Sequence, residues 1–124
     1  MEFRDNKAIY LQIAEYVCEH ILLGKWKAEE KVPSVRELAV ELEVNPNTVM
    51  RTYELLQNKN IINNKRGIGF FVSDDAIGHV KSYRKVLFMD DELPVVFRNI
   101  YLLNIGFDEL KGKYETFVKE NFNA

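Results

Sequence analysis

The stretch Pro33–Tyr53, PSVRELAVELEVNPNTVMRTY, carries two helix starts so close together that only two short helices and a tight turn fit between its ends. Ser34-Val35-Arg36-Glu37 has the form of a capping box, in which the Ser34 hydroxyl accepts from the Glu37 amide and the Glu37 carboxylate accepts from the Ser34 amide. Val35, Leu38, Ala39 and Leu42 then recur at helical spacing as a buried stripe, with Arg36 and Glu37 pointing away from it. The second start is Asn45 as cap with Pro46 at the first helical position and Val44 as an apolar staple before it. At about 100° per residue, Val49, Thr52, Tyr53 and Leu56 share one side of this helix, and Asn47, Arg51, Glu54 and Asn58 share the other.

Two short helices with a close turn and an outward row of Asn, Thr and Arg describe a helix-turn-helix whose second helix can enter a DNA major groove. Behind it, Ile61-Ile62-Asn63 and Gly69–Ser73 read as strands of a hairpin around the basic tip Asn64-Lys65-Arg66-Gly67, which makes a wing. Gly67 and Gly69 permit positive φ and close backbone approach, and beside Lys65 and Arg66 they suit a loop that touches DNA. The run Tyr10–Val72 resembles the DNA-binding domain of GntR-family bacterial transcription regulators, in particular the short YtrA-type branch. The residues that carry the resemblance are Pro33-Ser34-Val35-Arg36-Glu37-Leu38-Ala39, then Val44-Asn45-Pro46-Asn47-Thr48-Val49, then Gly67-Ile68-Gly69-Phe70-Phe71-Val72. Glu30 stands where the family commonly has a loop glycine, Asn60 where a glycine often ends the recognition helix, and Pro46 and Met50 where many members carry arginine. Asn60 can take the left-handed cap itself.

Length and composition fit this reading. A chain of 124 residues holds one compact domain, or a small domain with an appendage, and 47% apolar with 29% charged residues is ordinary for a globular protein. The net charge of −2 is unusual for a DNA binder, but residues 30–73 carry six basic and five acidic groups while residues 74–124 carry seven and nine. The positive field is thus a focused patch. Cys18 is the single cysteine and lies at the edge of an apolar stripe, so no intrachain disulfide and no reactive thiol are expected. His20 and His79 stand alone, no Cys-x-x-Cys, phosphate loop or Ser-His-Asp set occurs at usable spacing, and no metal site, cofactor or enzymatic activity is expected. With no membrane-length apolar run and a polar stretch from Glu2 to Lys7, a cytoplasmic location is expected.

The flanks complete the expected architecture, which is mainly α with a small β-wing: a winged helix-turn-helix over residues 1–73 and a short all-helical dimerisation segment over residues 74–124. Residues 8–24 form an amphipathic helix with Ile9, Tyr10, Ile13, Ala14, Val17, Cys18 and Ile21 on one side, Gln12, Glu15 and Glu19 opposite, and Gly24 at its end. Trp26 is expected as a plug between that helix and the sheet. After Asp74 or Asp75 a helix runs to about Met89 with Ile77, Val80 and Leu87 inward, Asp90–Glu92 and Pro94 mark a break, Gly106 closes the next helix, and Asp108 begins the last. Val95–Ile105 is too apolar to have one face in water; a second copy of the chain is its expected cover through Val96, Phe97, Ile100, Tyr101 and Leu103, as the family resemblance also implies, the alternative being that the segment packs onto its own winged helix.

The function expected is sequence-specific binding of a double-stranded, palindromic operator by a homodimeric transcription regulator, by analogy with the family a repressor. Its contacts are expected from Arg36, Asn45, Asn47, Thr48 and Arg51 of the helix-turn-helix and Lys65, Arg66, Gly67 and Gly69 of the wing. The competing reading is a winged-helix protein-interaction module without DNA binding, which has no need of basic groups on three separate elements. A segment committed to pairing leaves little room for a small-molecule effector, except in a small pocket at the dimer seam.

Overall fold

The computed structural model describes residues 1–4 and 6–123; Asp5 and Ala124, which fall within the two expected domains, lie outside the described residues. The chain divides into two compact units, Met1–Arg84 and Lys85–Ala124.

In the first unit, α1 (Ile9–Leu22), α2 (Val35–Leu42) and α3 (Pro46–Asn58) precede β1 (Ile62–Lys65) and β2 (Gly69–Val72), and the start of α4 (Ala76–Leu87) closes the unit. Ile13, Val17 and Ile21 from α1 meet Leu38 and Leu42 from α2, Val49, Tyr53 and Leu56 from α3, and Ile62 and Val72 from the hairpin in one core. The unit runs past Ser73, the boundary expected from sequence, because Ala76 and Val80 of α4 are buried in that core. β1 and β2 pair antiparallel with Ile62 opposite Val72 and Lys65 opposite Gly69. The turn is therefore Arg66-Gly67-Ile68, closed by the Ile68 amide on the Lys65 carbonyl at 2.9 Å, and not the expected Asn64–Gly67. The segment before α2 lies along the outer edge of β2: Val32 donates to the Phe70 carbonyl and Val72 to the Glu30 carbonyl, both at 2.9 Å.

Two readings of α1 change. Gln12, placed on the polar side, is buried, and its amide holds the N-terminal segment by accepting from the Arg4 amide at 2.7 Å and donating to the Arg4 and Lys7 carbonyls at 2.8 Å. Ile9, placed inward, is exposed at the first position of the helix. Glu15 meets Arg4 at 3.0 Å and also pairs with Lys7. Cys18 is fully buried, and burial pushes its thiol up to about 11. Trp26 turns back onto α1, edge-on to Tyr16 and 5.6 Å from the His20 ring.

The second unit has a π-helical turn at Phe88–Glu92, then α5 (Leu93–Leu102) and α6 (Phe107–Asn121). The expected break at Asp90–Glu92 is a widened turn, since Leu87, Glu92 and Leu93 all keep helical dihedrals. Pro94 lacks an amide proton and its ring crowds the carbonyl one turn back, and widening the helix accommodates both. At the end of α5 it is Asn104, with φ 53°, that turns left-handed; Gly106 keeps φ −79° and caps the start of α6. No described residue of this unit is buried. Val96 (42%), Phe97 (49%), Tyr101 (82%) and Leu103 (68%) are exposed, and Ile100 is half-buried. In α4, Val80 points inward as expected, whereas Ile77 and Leu87 are exposed.

Candidate nucleic-acid interface

The turn between α2 and α3 is set by local chemistry at both ends. Ser34 Oγ accepts from the Glu37 amide at 3.1 Å and Glu37 accepts from the Ser34 amide at 2.9 Å, a complete capping box that also holds the Glu37 carboxyl below its ordinary range. α2 stops where Glu43 takes φ 57°, a left-handed conformation for which glycine is the usual residue. Asn45 then caps α3 by accepting from the Asn47 amide at 2.8 Å, with Pro46 in the first turn.

This geometry faces the predicted residues outward in three groups. On α3, Asn47 and Arg51 are exposed and Thr48 is half-buried. Asn45 uses its side-chain oxygen for the cap and keeps its amide hydrogens free for a ligand. Arg51 does not pair with Glu54; its guanidinium carbon lies 3.8 Å from the centroid of the Tyr10 ring. Exposed Arg36, in the first turn of α2, lines a groove of about 300 Å³ with Lys31, Val35, Ile68, Gly69 and Phe70. Arg36 and Gly69 thus come together, α2 facing wing.

Lys65 goes elsewhere. It lies over the Phe71 ring at 4.3 Å and lines a separate hollow with Glu29, Asp74 and Asp75. Arg66 and Gly67 sit exposed in the turn, Gly67 at φ 80°. Gly69 takes φ 143°, a conformation that favours glycine, and the flexible end of Lys31 lies against it, with Cε 2.9 Å from where a Cβ would stand.

Lys31 is the cation that sequence reasoning missed. It bridges to Phe71 at the edge of β2, a long-range pairing that no local pattern around Lys31 announces. Tyr53 is the second omission as a site residue, because it reads only as core. Its hydroxyl donates to the Pro33 carbonyl at 2.7 Å and its ring meets Phe70 edge-on at 5.0 Å, so one buried side chain of α3 ties down both the entry to α2 and the wing.

Comparison with known proteins decides the family. The description of bacterial regulatory proteins, gntR family, matches residues 9–72, more than half the chain. The chain belongs to the GntR family. Residues 9–72 are its helix-turn-helix regulator region, and the family and the relatives are transcription regulators, not enzymes. The HTH-type transcriptional repressor YtrA of Bacillus subtilis is 42% identical over 73 residues, a match covering 59% of this chain and 56% of YtrA. A solved chain from Bacteroides thetaiotaomicron assigned to the GntR family is 48% identical, with 91% of this chain and 98% of that one covered at a TM-score of 0.75. AraR(DBD) in complex with operator ORR3 is 26% identical, covering 59% of this chain and 86% of that one, with a TM-score of 0.53. Its fold agrees with the winged helix-turn-helix seen in the first unit.

Proposed function

We propose that this GntR-family regulator binds a palindromic operator as a homodimer and represses transcription in the cytoplasm. The observation that carries the reading is the row of exposed side chains on α3, Asn47 and Arg51, in the same compact unit as the Lys31–Arg36 groove and the exposed Arg66 turn. Asn pairs with adenine and Arg with guanine in the major groove, while cations on a wing find phosphate or the minor groove. Asn47, Arg51 and the neighbouring Asn45 and Thr48 then read bases, whereas Arg36, Lys65, Arg66 and the backbone at Gly67 and Gly69 hold the duplex in register. The operator complex of AraR(DBD) and the name of the YtrA repressor support this reading by likeness. Among the described residues no helix is long and apolar enough to cross a membrane.

Pairing through the second unit is supported by exposed Val96, Phe97, Tyr101 and Leu103, with half-buried Ile100 among them, a cluster too apolar to face water. A two-fold axis through it gives matching half-sites, one helical turn apart if both α3 helices enter the same face.

Selection from a random duplex pool followed by mobility shift tests the proposal. Arg51→Ala is expected to cost about 1–3 kcal/mol and to relax preference at one base of each half-site, and Arg66→Ala to weaken all sequences alike and lower the salt slope by roughly one. Lys65→Ala is expected to change the slope less, since Glu29 and Asp74 stand beside Lys65. If no duplex is selected, or both arginine variants bind like the parent, the protein-interaction module takes precedence.

A further inference from the structure

Among the described residues the Tyr10 ring is the one aromatic face beneath a base-reading candidate. Arg51 Cζ stands 3.8 Å from its centroid, close enough for the planar guanidinium to rest on it. Tyr10 is anchored through its main chain. Its own backbone carbonyl accepts from the Thr52 hydroxyl at 2.7 Å, and Thr52, next to Arg51 in the chain, is fully buried. α1 and α3 are therefore locked to each other at the point where Tyr10 meets Arg51. Tyr10 itself is half-buried and Arg51 exposed, so the shelf is built into the fold while its load faces out. Among the described residues Arg51 makes no ion pair or side-chain hydrogen bond, and a guanidinium stacked on a ring at the 3.8 Å seen here keeps its N–H edge available.

We propose that Tyr10 is a positioning residue for base readout: it pre-orders Arg51 at the duplex-facing side of α3 and thereby sets the discrimination at the base that Arg51 contacts. The inference rests on the reading that α3 meets DNA. An unsupported arginine on an exposed helix loses rotamer freedom when it binds, and a guanidinium already held on a ring loses less, so the gain falls on the base pair that needs the bidentate geometry. Phosphate contacts elsewhere gain nothing from Tyr10.

The test uses the full chain with Tyr10→Phe and Tyr10→Leu, titrated against the selected operator, its single-base variants and a salt series. Tyr10→Phe keeps the ring and is expected to behave as the parent. Tyr10→Leu is expected to lose about threefold to fivefold of the discrimination at the Arg51 base, with the salt slope and the preference at other positions unchanged. On an Arg51→Ala background Tyr10→Leu is expected to add nothing. Should Tyr10→Leu fail to fold, Tyr10→Met replaces it. A readout without DNA runs alongside: the Arg51 side-chain proton resonances are expected to carry a ring-current shift in the parent and Tyr10→Phe and to lose it in Tyr10→Leu.

Equal weakening for every sequence would make Tyr10 merely structural and overturn the inference. So would unchanged discrimination, and so would improved discrimination, which would mark the ring as a brake on Arg51. If the parent selects no duplex, the DNA reading falls and this inference with it. If the parent selects one and Tyr10→Leu discriminates equally well, only the inference falls.

Discussion

Val80 and Val96 lie on helices of the same chain, yet Val80 is fully buried and Val96 is 42% exposed. The first unit surrounds its apolar side chains with three helices, a hairpin and the start of α4, which is enough to bury them. The second has two helices and a widened turn, and buries none of its described residues. Apolar content alone therefore does not make a core; the number of elements that can converge on it does. What the first unit achieves within one chain, the second achieves in our proposal only across two.

The sharpest way to break this contrast is to cut a side chain of similar bulk from each unit. Leu56, fully buried on α3, is expected to cost about 3 kcal/mol on replacement by alanine, through lost transfer energy and the cavity left behind. Phe97→Ala is expected to leave the unfolding of the first unit unchanged, and Phe97→Asp to convert dimers to monomers. Denaturant unfolding and light scattering read the two effects. A parent chain that is monomeric at tens of micromolar would remove the dimer and leave the second unit's surface without its proposed cover.

A smaller loss probes how the first unit holds its site in shape. Tyr53→Phe keeps the ring on Phe70 but deprives the Pro33 carbonyl of its donor, and is expected to cost about 1–2 kcal/mol in denaturant unfolding. The second unit has no comparable tie among its described residues: its one side-chain hydrogen bond there is Asn121 to the Phe117 carbonyl within α6. Parental stability in Tyr53→Phe would show that packing alone positions α2 and the wing.

Titration separates the units again. Burial favours the neutral Cys18 thiol and raises it to about 11, against an unfolded value of about 8.5. The sign follows directly: the stabilisation is complete below the unfolded value and fades as pH rises toward the folded one. Between about pH 8.5 and 10 the loss is expected to be on the order of 1–2 kcal/mol, all of it in the first unit. Cys18→Ala is expected to flatten that part of the stability curve, and the native thiol to resist alkylation until the unit unfolds. An equally steep alkaline loss in Cys18→Ala would assign it to other groups, Tyr16, Tyr53 and Tyr83 being raised as well.

The legible parts of this fold are those with local causes. The capping box at Ser34, the Asn45 cap with Pro46, the inward stripe of α3 and the left-handed Asn60 all follow from residues a few positions apart. Long-range pairings carried no such signal. Gln12 reads as polar surface because its partners at Arg4 and Lys7 lie in irregular chain, and Arg51 reads only as part of the outer side of α3 because Tyr10 is far away in sequence. The turn of the wing begins two residues later than expected and ends one later because pairing of Lys65 with Gly69 depends on the whole register. Left-handed residues show the same divide: the positive φ of the loop before α2 falls on Glu29, one residue before the Glu30 that stands in for a family glycine, and glutamate gives no hint of it.

Glu43 and Asn104 turn this last point into the finest test of the two units. Both end a helix in the left-handed region, Glu43 at φ 57° after α2 and Asn104 at φ 53° after α5. A glutamate Cβ crowds the following carbonyl there, a penalty of about 1–2 kcal/mol that asparagine escapes in part through its short polar side chain. Glycine has no such penalty but loses more freedom on folding, so the net gain from Glu43→Gly is expected to be about 1 kcal/mol. Asn104→Gly is expected to change stability by only a few tenths of a kcal/mol. Because α2 packs into the core of the first unit, the Glu43→Gly gain should appear in full in its unfolding transition, at any protein concentration. Any effect of Asn104→Gly, in contrast, should vary with concentration if the second unit is completed by a second chain. Paired thermal scans at low and high concentration measure both, and a concentration-dependent Glu43→Gly gain would show that the first unit, too, depends on its partner.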